Sequence, residues 1–229
     1  MFPIWINYQS PSSGTPEFGW GSEQNAAHLE PNTAARPMPM IRETIVTTVG
    51  AEGGVHLAPL GIIADGEGFI LAPFRPSTTL ENLRVVPFAV ANYTDDVRIF
   101  AGCLTGRRDW PVTASDKFPV PRLAGALAHA ELAITRVSED ARRPRFHCRV
   151  VHRVSHAPFE GLNRAKAAVV EAAILVSRLD FLPRDKVERE IDYLRIAVEK
   201  TAGAAEQEAW GWLMEKIRSH YAAVAARSG

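Results

Sequence analysis

Between Ile41 and Pro73 the chain sets three β-rich stretches around two short glycine turns, and this arrangement limits the fold more than any other feature. In IRETIVTTV, Ile41, Glu43, Ile45, Thr47 and Val49 share one face and Arg42, Thr44, Val46 and Thr48 the other, so β-branched residues dominate both. Gly50 to Gly54 turns the chain, Val55–Ala64 returns it, Asp65-Gly66-Glu67-Gly68 turns it again, and Phe69–Pro73 is a third strand. Strands joined by turns this short are antiparallel neighbours, and such a meander suits a small barrel. Pro59 inside the second strand has no N–H to donate, which predicts an edge or a bulge there and leaves nearby backbone groups open to a ligand.

The meander runs into LAPFRPSTTLENLRVVPFAVANYTDD, residues 71–96. Pro76 fixes its own backbone and keeps Arg75 extended, so the loop stays out of the helix that follows. Thr78 and Glu81 have capping-box spacing, which predicts a helix starting near Thr78. Its first N–H groups, its dipole, the hydroxyls of Ser77, Thr78 and Thr79, and the Arg75 guanidinium would converge on one spot suited to a phosphate. A plain N-cap beside a surface arginine fits the same residues. Pro87–Asn92 reads as a strand, and Asn92 at its end carries an amide able both to donate to and to accept from a ligand. Thr94 is the expected cap of a helix reaching about Leu104, with Asp95 and Asp96 as capping and dipole partners rather than an acid/base pair.

Residues 106–128 read as a proline-containing loop, and Ala130–Val137 and Arg145–Val154 as two more strands. Cys148, His152 and His156 share a face of the second, but at about 3.3 Å per residue their neighbours stand about 13 Å apart. A metal shell with bonds of about 2 Å does not span that distance, so no metal is expected unless the strand folds sharply. The remainder is helical: Asn163 caps a helix over 164–181, Leu182-Pro183 breaks it, Val187, Ile191, Leu194 and Val198 mark a second, and 204–226 is a third with Trp210, Leu213, Ile217 and Tyr221 inward. Asn163, Arg164 and Lys166 stand where they could close over a ligand.

The order of these pieces resembles the FMN-binding split-barrel proteins related to flavin reductases, in the branch carrying a domain-of-unknown-function label. The likeness rests on IRETIVTT (41–48), HLAPLGI (56–62), APFRPSTTLENL (72–83), VANYTDD (90–96) and GLNRAKAAVVEAAILVSRL (161–179). It implies an α+β fold: a split antiparallel Greek-key β-barrel of the FMN-binding type with a C-terminal helical subdomain. The expected division is an extension over 1–39, a barrel over 40–157 and helices over 158–229, with FMN as cofactor and a homodimer as assembly. The resemblance also implies the site. Arg75, Ser77, Thr78 and Thr79 would hold the phosphate, Thr47, Thr48, His56, Pro59, Leu60, Gly61 and Asn92 would frame the ring, and Asn82 would also bind the cofactor. A flavin-dependent oxidoreductase is the leading expectation, with a deazaflavin enzyme or a non-catalytic flavin binder as alternatives.

Composition narrows the rest. Twenty-six basic and 26 acidic residues give a formal charge of zero, which disfavours nucleic acid as a partner. Cys103 and Cys148 lie far apart in the sequence, the N-terminus lacks a signal-peptide pattern, and no apolar run reaches membrane-spanning length. The expectation is a cytoplasmic protein with reduced cysteines and no membrane partner. Trp5, Phe18 and Trp20 are unusual in a loose extension and point to packing on the body or on a partner subunit. There is no nucleophile elbow or glycosidase carboxylate pair.

Overall fold

The computed structural model describes residues 39–228, so the expectation for the N-terminal extension lies, but for its last residue, outside them. The meander forms as expected: β1 (Ile41–Val49), β2 (Val55–Asp65) and β3 (Gly68–Leu71). The β1–β2 register runs unbroken from Ile41 opposite Ile63 to Val49 opposite Val55. Pro59, opposite Ile45, therefore needs no bulge. Of the two arrangements expected around it, the edge is the one found, because β3 pairs with β2 only at Ile63, Ala64 and Asp65. From Val55 to Ile62 the far side of β2 has no strand partner among the described residues.

After β3 come α1 (Thr78–Val85), β4 (Phe88–Tyr93) and α2 (Val97–Leu104). The segment read as a loop contains a small two-stranded sheet, β5 (Val112–Thr113) with β6 (Arg122–Leu123). Then follow β7 (Ala128–Ser138), β8 (Arg145–Ser155), α3 (Arg164–Val176), α4 (Arg184–Thr201) and α5 (Ala204–Ser228). Six strands close into an antiparallel barrel in the order β1-β2-β3-β8-β7-β4, sealed where Ile45, Val46 and Thr47 of β1 meet Asn92, Ala91 and Val90 of β4.

Val46, Ile62, Phe69, Leu71, Leu132 and Phe146 fill the interior, with alanines at 89, 91 and 130 facing the larger side chains. Helix α1 plugs this core with Leu80 and Leu83. On the outer surface, Ile45 and Leu57 are covered by Ile99 and Phe100 of α2 and by Leu123. The other face of α2 presents Val97 and Ala101 to a helical cluster that includes Val169, Val176, Ile191, Leu213 and Ile217. This short helix thus carries two buried faces and joins the barrel to the C-terminal helices, and the described residues cluster as a single compact unit.

Two caps differ from expectation by one or two residues. Ser77, not Thr78, caps α1: it is extended and its Oγ accepts from Leu80 N at 3.3 Å. Asp96, not Thr94, caps α2, and Thr94 Oγ1 instead accepts from Asp96 N at 3.1 Å. In both places competing hydroxyl or carboxyl groups sit side by side, and backbone geometry chooses between them. Helix α3 ends at Val176, short of the expected 181, while Asn163 caps it as expected through Ala165 N at 2.8 Å.

Candidate functional site

The start of α1 is a helix N-terminus with unclaimed donors. Ser77 supplies an acceptor to Leu80 N, and Glu81 N reaches Ser77 O at 3.1 Å. The N–H groups of Thr78 and Thr79, the first two of the helix, have no acceptor among the described residues. Thr78 is exposed and Thr79 buried. Asn82, one turn further on, fastens the helix to the barrel: its Nδ2 donates to Thr48 Oγ1 at 3.0 Å in the buried interior. Thr48 stands opposite His56 in the β1–β2 ladder, so the helix start and the unpaired stretch of β2 are held as neighbours.

Along that stretch the backbone is constrained from the β1 side. Thr44 Oγ1 donates to Leu60 O at 2.9 Å, and a Cβ on Gly61 would lie 2.8 Å from Ile41 Cγ2, so any larger residue there would have to displace the Ile41 side chain. His56 is half-buried. Burial, and then the Arg108 charge, hold its imidazole below the ordinary pKa, which makes it neutral at pH 7.

Three expected ring or phosphate contacts have other occupations. Arg75 is bonded to Glu139 Oε2 at 2.6 Å and to Asp140 O at 3.3 Å, and Arg84 shares the same carboxylate at 2.9 Å. The Arg75 guanidinium is thus paired rather than free, because an opposite charge 64 residues away in sequence lies next to it in space. Asn92 is fully buried: Nδ2 donates to Ile45 O and Thr47 Oγ1, each at 2.9 Å, and Oδ1 accepts from Leu123 N at 2.7 Å. One end of the amide ties β4 to β1 and the other ties it to β6, so Asn92 and Thr47 shape the wall instead of offering polar groups to a ligand. Asn163 and Lys166 are likewise engaged, the first with Thr201 O at 3.0 Å and the second in an ion pair with Asp95.

Neither cysteine is a reactive group. Burial pushes Cys148, inside the barrel, up to about 12 and Cys103 up to about 11, so both stay as thiols. On another side of the barrel an open groove of about 690 Å³ runs past Tyr93, Asp95, Leu127, His156 and Phe159.

A closed six-stranded antiparallel barrel plugged by one short helix and followed by three more defines a split-barrel protein with a C-terminal helical part, the fold class expected from the sequence. Family models described as a protein of unknown function (DUF447) match twice, the N-terminal domain over residues 42–157 and the second domain over 163–215. The chain belongs to the DUF447 family. The structure is similar to that of an FMN-bound DUF447 protein from Methanosarcina mazei, with 21% identity and a TM-score of 0.68 over 77% of this chain and 94% of that one. Shorter likenesses extend to a 2-nitrobenzoate 2-nitroreductase of Pseudomonas fluorescens (19% identity, TM-score 0.44, 54% of this chain and 67% of that one). An FMN-binding protein of Thermus thermophilus is similar at 17% identity and a TM-score of 0.45, over 62% of this chain and 86% of that one. No curated protein matches the chain. Among the described residues, no helix is long and apolar enough to cross a membrane.

Proposed function

We propose that this protein binds FMN and works as a flavin-dependent oxidoreductase. The observation that carries the reading is the pairing of two unclaimed N–H groups at the start of α1 with the neighbouring strandless side of β2. The helix start suits a phosphate: two N–H donors, the exposed Thr78 hydroxyl, the Ser77 hydroxyl and the positive end of the dipole. The β2 side suits the pyrimidine edge of a flavin, whose ring N–H lies between two carbonyls, because a strand edge offers N–H and C=O groups in alternation. His56, Pro59, Leu60 and Gly61 line that edge, and the missing N–H of Pro59 removes one donor from it. The FMN-bound relative from Methanosarcina mazei supports FMN as the ligand.

FMN, when bound, supplies hydride acceptance and electron transfer; the protein supplies placement and polarity. In this account Thr78 N and Thr79 N bind phosphate oxygens, and Asn82 keeps their helix fixed to β1 through Thr48. Arg75 joins the phosphate only by exchanging Glu139 for it. Neutral His56 adds a polar group beside the ring without adding charge. A homodimer completes the arrangement, since Phe74, ahead of α1, and Val85, its last residue, are 57% and 58% exposed and suit coverage by a second copy.

Titration with FMN and with riboflavin, which lacks the phosphate, tests the site. The assignment predicts FMN bound at least tenfold more tightly, with the preference reduced in Ser77→Ala and in Arg75→Ala. Equal affinity for the two flavins would remove α1 as the phosphate site.

A further inference from the structure

We propose that Arg42, Tyr93 and Arg153 bind the oxyanion head of a small organic acid, a carboxylate or a phosphate monoester, away from the α1 loop. The three stand on the inward face of the barrel at the end where β1 begins and β4 and β8 finish. Arg42 is on the face of β1 that carries Val46 into the core, Tyr93 follows the core residue Ala91 in β4, and Arg153 of β8 pairs with the core residue Ala130 of β7. Arg42 precedes Thr48, the residue that holds α1, by six positions, about 20 Å along the strand at about 3.3 Å each. The site is therefore separate from the proposed phosphate site and does not depend on the FMN reading.

One aromatic ring gathers the two cations. The guanidinium carbons of Arg42 and Arg153 each lie 5.8 Å from the centroid of the buried Phe69 ring on β3. Burial raises the Tyr93 hydroxyl above the ordinary tyrosine pKa, and the Arg153 and Arg42 charges, both close enough to act on it, pull the other way. In the strand between Tyr93 and Arg153, Ala128 stands opposite Tyr93 and Ala130 opposite Arg153, so β7 puts nothing larger than a methyl group between them on that face.

The two charges have no counter-charge. Unlike Arg75, Arg84 and Arg98, neither Arg42 nor Arg153 has a carboxylate in ion-pair range among the described residues. Asp65 and Glu67 line the groove beside Arg153, but Asp65 Oδ2 is taken by His147 Nδ1 at 3.0 Å, and Glu67 makes no ion pair with either arginine. Two cations on one ring are attracted to its face and repelled by each other. An oxyanion between them relieves the repulsion, occupies the guanidinium forks and accepts from the Tyr93 O–H.

Tyr93 also lines the open groove of about 690 Å³, whose wall is apolar at Leu127, Ala128, Pro158 and Phe159. Asp95 in that groove is neutralised by Lys166, and burial, then the Arg122 charge, hold the His156 pKa below the ordinary value, which makes it neutral at pH 7. The groove thus suits the apolar body of an acid whose head meets the two arginines.

Calorimetric titration of the full-length protein with benzoate, phenyl phosphate and the uncharged benzamide tests the site. The three probes share a phenyl ring, and the tighter of the two anions names the head group. The expected result is one anion per chain, bound at least tenfold more tightly than benzamide, with the advantage shrinking as salt rises. Arg42→Gln and Arg153→Gln, both at exposed positions, should each cut that advantage at least threefold while circular dichroism stays unchanged. Anions bound no more tightly than benzamide, or an advantage unaltered in either variant, would overturn the proposal and leave two solvated arginines beside Phe69.

Discussion

Asn82 of α1 donates to Thr48 of β1 at 3.0 Å inside the barrel, and this bond fixes the helix that carries the proposed phosphate site to the strand that frames the proposed ring site. Replacing Asn82 with alanine strips Thr48 of its buried donor. The variant should lose about 1–3 kcal/mol of stability in chemical denaturation. An unchanged midpoint would mean that the bond contributes nothing to the plug. The effect should be seen with and without FMN, since the bond belongs to the fold.

Gly68 opens β3 where it passes the backbone of β8. A Cβ there would come within 2.1 Å of Cys148 O, and backbone on a closed barrel has little room to retreat. Gly68→Ala should therefore cost about 1–3 kcal/mol, as overpacking in a filled core does. Denaturation at wild-type midpoint would show that β3 and β8 separate more easily than the register implies.

Glu131 accepts from three consecutive backbone N–H groups, an arrangement that a neutral amide cannot reproduce because half of its polar end donates. Glu131→Gln should destabilise the protein by about 1.5–3 kcal/mol, the range for a lost bond to a charged group. The amides of Asp116, Lys117 and Phe118 should exchange with solvent faster in the variant. Unchanged protection of those three amides would contradict the clamp.

His56 provides a pH test. Burial holds its folded pKa below the ordinary 6.5, so as pH falls through about 6.5 the unfolded chain takes up a proton that the folded chain does not. Stability is thus fully present above that value and declines below it. Comparing denaturation midpoints at about pH 7.5 and 5.5, His56→Gln should lose less on acidification than the wild type. Equal losses would place the acid sensitivity elsewhere.

The meander, the α1 start and the three C-terminal helices were legible because each is written locally, in glycine turns, caps and apolar periodicity. Barrel closure was not, since β4 meets β1 and β8 meets β3 through pairings far apart in sequence. The same limit explains the site. Ser77, Thr78 and Thr79 sit at a helix start as read, whereas Glu139 takes Arg75 and Leu123 takes Asn92 from distant segments. Asp116 comes to His129 and Glu131 of β7 from a distant loop, and spacing along one strand could not assemble the three. In sequence, the sign available was a histidine and an acid two residues apart in His129-Ala130-Glu131, just ahead of the apolar Leu132-Ala133-Ile134.

The most direct test of the central claim is the visible absorption spectrum of the purified protein before and after addition of FMN, with the mass of any released chromophore. The account predicts flavin absorption, release of FMN, and rebinding of one FMN per chain. A colourless protein that leaves added FMN unchanged, or a released chromophore of another mass, would contradict it.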